Sequence, residues 1–431
     1  MSQTVRAFSL RRWWLPVGLL VIAAAFFCLC VATARHLLLT GYLFPNDIFF
    51  GLDVAREISN MAEPGKNLRS NVHPLFTALT KPVGLLLQEF GVTRHMAAVL
   101  MGAAAGAGGL LAAGWYFHQR RLARFEVCLA VLLLASTATV VFESVLPGTF
   151  MFSMATIALL HGLLAWTLRR PPRSLRPAVR RTRAGLWLLT GVVAYGITVS
   201  NGVFAFLAHG FAGRGGPRGW TRSAGYGALV LALGLGLTWC FGSLFNLHVE
   251  ARWLSDSAFK GRSLGHPLIM SLSAALGWSV VAPQPHLVPH ISGRTMATIC
   301  AWDYSPGAWL LVGCWLVLLL GALAAALRER SPYGRRLTLA LLPPLLFHVL
   351  LHVYYVTGYE GPFLYSGHSI FFVVAWLVPL LGRIGRLRRP WRIAARVALL
   401  AFALALAARH VHMIATLPDR LPLPPGFGPV G

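Results

Sequence analysis

Charged residues are scarce in this chain, and acidic residues are rarer than basic ones. Only 12% of the 431 residues are charged, with 13 Asp and Glu against 38 Lys and Arg, whereas soluble domains usually carry about 25%. With 56% hydrophobic residues and a mean hydropathy of +0.65, this composition excludes a soluble globular protein. We attribute the net charge of +25 to membrane topology rather than to a nucleic-acid partner.

The sequence also lacks clustered loop cysteines and alternating apolar stretches. Five of the six cysteines lie inside apolar runs and only Cys300 falls in a predicted loop, so no disulfide framework or zinc cluster is indicated. The apolar stretches are continuous rather than alternating, which excludes a β-barrel. The sequence therefore predicts an all-α, polytopic integral membrane protein.

Eleven apolar runs are candidate transmembrane helices, and the distribution of charge orients them. Threaded alternately from a cytoplasmic N-terminus, they place 26 of the 38 basic residues on the cytoplasmic side and 11 of the 13 acids outside or at the outer membrane edge. This satisfies the positive-inside rule at every cytoplasmic loop. The runs lie near 13–34, 97–117, 127–142, 149–168, 184–199, 202–212, 224–246, 307–327, 336–356, 368–381 and 393–412.

Residues 1–431 are predicted to form a single transmembrane domain without a separate soluble domain. Its two large outer loops are about 35–96 and 247–306. The apolar stretches 74–90 and 267–282 are assigned to re-entrant or interfacial segments, because counting 74–90 as a span would move the later arginine clusters outside.

The acidic residues gather in the outer loops. A transporter usually places ionisable groups near the middle of the membrane and is built from pseudo-symmetric halves, and the sequence shows neither feature. An active site at the outer membrane surface fits the distribution better.

The first outer loop contains a predicted amphipathic helix. Pro45-Asn46-Asp47 can cap it, and residues 49–58 place Asp53, Arg56 and Glu57 on one face by helical spacing. A simple solvated charged face is the alternative.

The motif Arg69-Ser70-Asn71-Val72-His73-Pro74-Leu75-Phe76 follows that helix. An acidic residue after the first span, an interfacial helix and then His-Pro-Leu resembles the multi-spanning glycosyltransferases of the C-type (GT-C) fold, including family 39. The resemblance is closer to a bacterial branch with an Asp-x-x-Arg helix, HPLF and a late Phe-Leu-Tyr-Ser-x-His string, here 363–368. This chain differs from family 39 in two ways. The family-39 string has two prolines where this chain has one, and the family carries an Asp-Glu pair in this loop, whereas neither Asp47 nor Asp53 is followed by Glu.

The resemblance implies an enzyme with a polyprenyl-phosphate-linked sugar as donor. The lipid would lie between spans and the sugar in an outer cavity, with a first-loop aspartate as base toward the acceptor hydroxyl. Asp53, 20 residues before His73, is the predicted base and Asp47 the alternative. This chemistry needs little beyond a positioned base and cations for the departing phosphate.

Further residues are assigned to substrate binding, His73 among them. Arg56, Arg69 and Lys81 could hold phosphate, or could instead anchor lipid headgroups. Glu360 and His368 are predicted to face the outer cavity and bind sugar hydroxyls. Asp303 lies between Trp302 and Tyr304, which suits a pyranose ring or an aromatic membrane belt equally.

His348 and His352 are spaced i, i+4 on a predicted helix. Two such histidines can share a metal ion, but no third protein ligand is evident in the sequence, so the pattern favours an interior polar pair. No metal ligand is assigned, and a divalent metal requirement stays open.

The predicted function is transfer of a sugar from a polyprenyl-phosphate donor to a glycan, lipid or protein acceptor on the outer face of a bacterial cytoplasmic membrane. The alternatives are a lipid-sugar flippase or other transporter, and an enzyme of O-antigen ligase or polymerase type. A late outer loop rich in Arg and His, as 247–306 is, would fit the last of these.

Overall fold

The computed structural model describes residues 10–43, 54–67, 70–170, 176–213, 217–244, 265–289, 295–299, 301–355, 363 and 365–420. These residues are predominantly helical, as the sequence predicts. In chain order the α-helices are α1 (Leu10–Leu39), α2 (Val54–Ala62), α3 (Phe76–Glu89), α4 (Arg94–Gln119), α5 (Arg124–Ser136), α6 (Ala138–Val145), α7 (Phe150–Arg169), α8 (Pro177–Ile197), α9 (Val199–Ala212), α10 (Pro217–Leu244), α11 (Gly265–Ser273), α12 (Pro306–Leu327), α13 (Pro332–Leu339), α14 (Leu342–Tyr355), α15 (Ile370–Ala375), α16 (Val378–Ile384), α17 (Arg389–Ala415) and α18 (Leu417–Arg420).

The protein is a multi-pass membrane protein. In the described part of the chain, seven helical segments are long and apolar enough to cross a membrane, and the bent pair α5 and α6 raises the number to eight. Two of the other predicted spans correspond to short apolar helical segments, Val199–Ala212 and Ile370–Ile384. The count of eleven stays a prediction.

Proline starts several of these helices. Pro177, Pro306 and Pro332 occupy the first helical position of α8, α12 and α13, where the missing N–H has no helical partner to lose. Thr93 caps α4 by accepting a hydrogen bond from Met96 N. Local chemistry therefore fixes where these helices begin.

Helices α4 and α7 form the centre of the bundle, and glycines in α4 permit its close packing. A Cβ on Gly106 would lie 2.2 Å from Ser144 Oγ on α6, and one on Gly109 would lie 2.5 Å from Met154 Cε on α7. Helix α1 packs on the same helix. These glycines therefore allow neighbouring helices to approach closely.

Helices α2 and α3 form a short hairpin against α4. The buried residues Val54, Ile58 and Met61 lie on one face of α2, and Gln88 Nε2 on α3 donates to Ala62 O at 2.8 Å. Helix α3 ends after 14 residues at Gly91, whose φ of +81° closes the turn. Its length agrees with the assignment of this stretch to a segment that does not span.

The second outer loop is only partly helical. Helix α11 continues into a π-helical turn, Ala274–Trp278, and an antiparallel hairpin pairs β1 (His286–Pro289) with β2 (Thr295–Thr298). This short hairpin is the exception among described residues whose regular secondary structure is otherwise helical, which agrees with the predicted all-α membrane protein. The apolar segment Pro267–Trp278 is a short helical one, and its assignment to a segment that does not span stays a prediction.

Loops predicted to lie on the cytoplasmic side contact one another. Arg120 Nη2 donates to Thr338 Oγ1 at 3.1 Å, Tyr333 Oη to Gln119 O at 2.7 Å and Arg169 Nη1 to Gln119 Oε1 at 3.4 Å. If successive spans cross the membrane in alternate directions, the helix ends next to these loops must lie on the same side. The contacts are consistent with the predicted alternation and leave its absolute orientation open.

Candidate functional site

Three buried histidines form a cluster in the described part of the bundle. Each of His348, His352 and His368 can offer one ring nitrogen such that all three atoms lie within 4.8 Å of one another. No side chain among them is more than 6% exposed. The ring centroids of His348 and His352 are 4.4 Å apart, and those of His348 and His368 are 6.0 Å apart.

Two local structures position these side chains. His348 and His352 lie one turn apart on α14 and project from the same face. His368 ends a 3-10 turn, Tyr365–His368, in which the Tyr365 ring stacks on His352 at 4.2 Å.

One hydrogen bond holds that turn against α6, and two others lie within the turn segment itself. Ser366 Oγ lies 2.6 Å from Thr139 Oγ1 and donates to the Phe363 carbonyl at 2.5 Å. The Ser369 N–H donates to Ser366 O at 2.9 Å. His368 is thus carried by a backbone segment with fixed geometry.

The His-Pro-Leu segment reaches the same region. Leu75 N donates to Gly196 O at 2.8 Å and Val199 N to Val72 O at 3.0 Å, which fastens the segment to the break between α8 and α9. There His73 Nδ1 lies 2.9 Å from Ile197 O. Thr198 Oγ1 lies 3.3 Å from His73 Nδ1 and 3.3 Å from Ser153 Oγ on α7, and the Phe150 ring on α7 contacts His368. The two strings that carry the family resemblance are therefore neighbours in space.

Glu143 lies next to the cluster. Helix α6 bends by 61° from α5 at a break beside Thr137, and Glu143 on it is 3% exposed. Its carboxyl group lies against Gly367, where a Cβ would come within 2.2 Å of Oε2. Among the described residues the carboxyl oxygens have no side-chain hydrogen-bond partner. The sequence places Glu143 at the outer membrane edge, but the bend buries it.

Arg56 and Lys81, two predicted phosphate-binding cations, have protein contacts. Arg56 Nη2 pairs with Glu57 Oε1 at 3.1 Å, and the Glu57 side chain is buried. The alternative interpretation of this helix, a solvated charged face, does not fit the buried Glu57. Lys81 Nζ donates to the Lys66 carbonyl, and burial lowers the pKa of Lys81 to about 8, partly offset by Glu63.

Asp303 lies in the second outer loop. Its carboxylate is 3.3 Å from His286 Nε2 at a largely exposed position, and its backbone carbonyl accepts from Gln284 N at 2.7 Å. The neighbouring Tyr304 Oη donates to Val281 O at 2.8 Å, and burial raises the pKa of Tyr304. These contacts tie Asp303 to its own loop and do not join it to the histidine cluster.

Four of the predicted site residues lie outside the described residues. These are the two candidate bases and two predicted substrate-binding residues: Asp47, Asp53, Arg69 and Glu360. Their predicted roles stay predictions.

Sequence reasoning misses the third histidine of the cluster. It identifies the pair on α14 without a third ligand, and it assigns His368 to sugar binding. The third histidine is visible in the sequence as part of Ser-Gly-His at 366–368. However, 15 residues separate His368 from His352, and only the folded turn brings the two side chains together.

No protein-family model, curated protein or solved structure matches this chain.

Proposed function

We propose that the protein is a membrane glycosyltransferase, of the C-type fold and about eleven spans, with a polyprenyl-phosphate-linked sugar as donor. Its acceptor would be a glycan, lipid or protein on the outer face of a bacterial cytoplasmic membrane, with the N-terminus cytoplasmic. The observation that carries the proposal is that the two strings of the resemblance both reach the start of α7. His73 does so through Thr198 and Ser153, and His368 does so through the Phe150 ring.

The surroundings of those histidines suit a substrate-binding region. The Phe150 and Phe204 rings contact His368 with centroids at 5.4 and 6.5 Å, so an apolar wall adjoins the polar cluster. Phe76, the last residue of the HPLF string, packs edge-on against Phe152 at 5.4 Å. Apolar walls with a few convergent polar groups are typical of small-molecule sites, and a lipid-linked sugar needs both surfaces.

In the proposed reaction, Asp53 accepts the proton of the acceptor hydroxyl as the new glycosidic bond forms. The bond between the sugar and the phosphate oxygen breaks, and the polyprenyl phosphate leaves with both bonding electrons. Arg56, Arg69 and Lys81 are the candidate cations for that phosphate. Arg56 and Lys81 would serve this role in addition to the protein contacts described above.

The test is transfer by purified protein in lipid nanodiscs. We expect transfer from polyprenyl-phosphate sugars and none from nucleotide sugars. Asp53→Asn should lower turnover by about 10² to 10⁴, the range for general base catalysis, without changing the unfolding temperature. Asp47→Asn separates the two candidate bases: little change fits a helix cap, because Asn caps a helix as well as Asp does, whereas a large loss would make Asp47 the base. If both variants keep full activity, the proposal loses its main support.

A transporter is the second candidate, favoured by Glu143. Buried ionisable groups beside a broken helix are typical of transporters, and Glu143 with the histidine cluster fits that description. Reconstituted vesicles loaded with the same lipid-linked sugars separate the two candidates. Movement of the lipid between leaflets without transfer to any acceptor would favour transport.

A further inference from the structure

The buried histidines of this protein differ in how their ring nitrogens are used. His410 on α17 has both nitrogens bonded, since Nδ1 lies 2.8 Å from Ser136 O and Nε2 accepts from Ala282 N at 3.2 Å. In the cluster, by contrast, both nitrogens of His352 and Nε2 of His368 have no hydrogen-bond partner among the described residues. His410 is a satisfied core histidine, and the cluster is not.

Unpartnered buried nitrogens carry a free-energy cost. A buried polar atom that forms no hydrogen bond loses its bonds to water without replacement. A cation bound to His352 and His368 would satisfy one such nitrogen on each ring. Two of the donor residues lie one turn apart on α14, and the third lies on the turn fixed by Thr139 and Ser366. The donors are thus already gathered and held by backbone structure.

We propose that His348, His352 and His368 bind one transition-metal dication of the zinc class. Neutral imidazole nitrogens suit Zn²⁺ and Co²⁺, whereas Mg²⁺ and Ca²⁺ prefer oxygen ligands. Tetrahedral coordination at a Zn–N distance of about 2.0–2.1 Å places ligand nitrogens about 3.4 Å apart. The nitrogens, now within 4.8 Å of one another, reach this spacing by small side-chain rotations.

Three protein ligands leave one coordination position for water or another oxygen ligand, as in open zinc sites. Glu143, against Gly367, supplies an acidic group next to the cation and helps to offset its charge. Groups in this position typically change metal affinity by about 10–100-fold. The metal site shares His368 with the region proposed for the substrate, but its evidence is the geometry of the cluster. Metal binding is therefore measured directly, so that its failure and the failure of the proposed transfer reaction are distinguishable.

The experiment measures metal directly on full-length protein purified through a tag that contains no histidine. After removal of bound metal with a chelator, Zn²⁺ and Co²⁺ are titrated and the bound metal is counted by mass spectrometry. We expect one equivalent per chain, with the strong visible absorption of tetrahedral Co²⁺, and no comparable binding of Mg²⁺. Wild-type protein without stoichiometric Zn²⁺ or Co²⁺ would overturn the proposal.

Substitutions of single histidines identify which side chains bind the metal ion. His352→Gln and His368→Gln should each lower Zn²⁺ affinity by about 100-fold or more, beyond the cost of losing a supporting group. His209→Gln is the control, because His209 Nδ1 contacts Ser223 Oγ at 2.9 Å, away from the cluster. Equal affinity in all three variants would place the metal elsewhere and overturn the assignment. If a Gln variant does not fold, His368→Cys keeps a zinc ligand and should shift the Co²⁺ spectrum toward thiolate coordination.

Discussion

Two glutamates on the bent pair of helices α5 and α6 are both buried, but only one has a side-chain partner. Glu126, at the start of α5, accepts a hydrogen bond from Arg396 Nε at 2.9 Å and joins α5 to α17. Glu143, near the end of α6, has no side-chain partner in the described part of the chain. The first belongs to the arginine-rich end of the bundle and the second to the end with the histidine cluster.

The arginine-rich end uses its polar groups to join helices. Arg120, Arg183 and Arg383 donate to carbonyl or hydroxyl oxygens of other segments, so their burial costs little. At the histidine end, polar groups are gathered without such partners among the described residues. Unpartnered atoms occur at both ends, among them Glu126 Oε2, Arg336 Nη2 and Arg392 Nε at the arginine-rich end. In the described part of the chain, only the histidine end gathers three residues that could hold one metal ion.

Labelling from each side of the membrane decides which end faces the cytoplasm, and it should give an all-or-none result. Single cysteines at 175, 260 and 361 in a cysteine-free background are treated with an impermeant maleimide. We expect 175 to react only from the cytoplasm and the other two only from outside, because the arginine clusters stay inside. Labelling of 260 from the cytoplasm would reverse the two ends and require a span at 74–90.

Identical substitutions at the two glutamates should separate stability from ligand binding. Glu126→Gln weakens the pair with Arg396, whose side chain is 24% exposed, and should lower the free energy of unfolding by about 1–3 kcal/mol. Glu143→Gln should leave that free energy unchanged or raise it, since no side-chain partner is lost. Thermal unfolding of metal-free protein in detergent provides the measurement.

In Zn²⁺ binding the two variants should rank in the opposite order, with the larger effect from Glu143→Gln. Glu143→Gln should weaken binding by about 10–100-fold, and Glu126→Gln should not change it. A large loss of stability in Glu143→Gln, with normal Zn²⁺ binding, would show that the two ends do not differ in the proposed way.

Close backbone packing in the first outer loop can be tested with alanine. A Cβ on Gly84 would lie 2.1 Å from the Met61 carbonyl oxygen, so Gly84→Ala must move α2 away from α3 and should cost about 1–3 kcal/mol. Gly108 has no atom within 4 Å of an added Cβ, and Gly108→Ala should raise stability by up to about 1 kcal/mol. Equal unfolding temperatures would exclude the tight α2–α3 contact.

Lys81 gives the smallest expected effect, on the pH dependence of stability. Its pKa is about 8 in the folded protein against an ordinary 10.5. Between these values the unfolded chain binds more protons than the folded one, so stability should rise with pH across this window. Lys81→Met should flatten the rise in unfolding temperature, whereas Lys66→Met, at an exposed position, should not. An unchanged slope in Lys81→Met would show that burial does not lower its pKa.

Several elements can be predicted because their signals are local. Continuous apolar runs predict helices of membrane-spanning length, and seven such segments are found among the described residues. Charge predicts that the 74–90 stretch does not span, and this stays a prediction, because α3 has the same length, 14 residues, as α9, which lies in a predicted span. The number of spans cannot be settled in this way, since Val199–Ala212 is apolar but short.

The candidate site is only partly predictable. The pair His348 and His352 follows from helical spacing, whereas the sequence favours a different role for His368. Their meeting depends on the 3-10 turn and on the hydrogen bond that joins Ser366 of that turn to Thr139, 227 residues away along the chain. No local pattern encodes such a contact.

By itself the sequence determined the membrane environment, the predominance of helices and the alternation of charge between loops, because hydropathy and charge act on each segment separately. Only the tertiary structure decided which buried polar groups have partners. Partnership depends on which helices pack together and where they bend, as the 61° break before α6 and the turn that carries His368 demonstrate. A buried histidine or glutamate looks the same in the sequence whether its neighbours satisfy it or leave it open to a ligand.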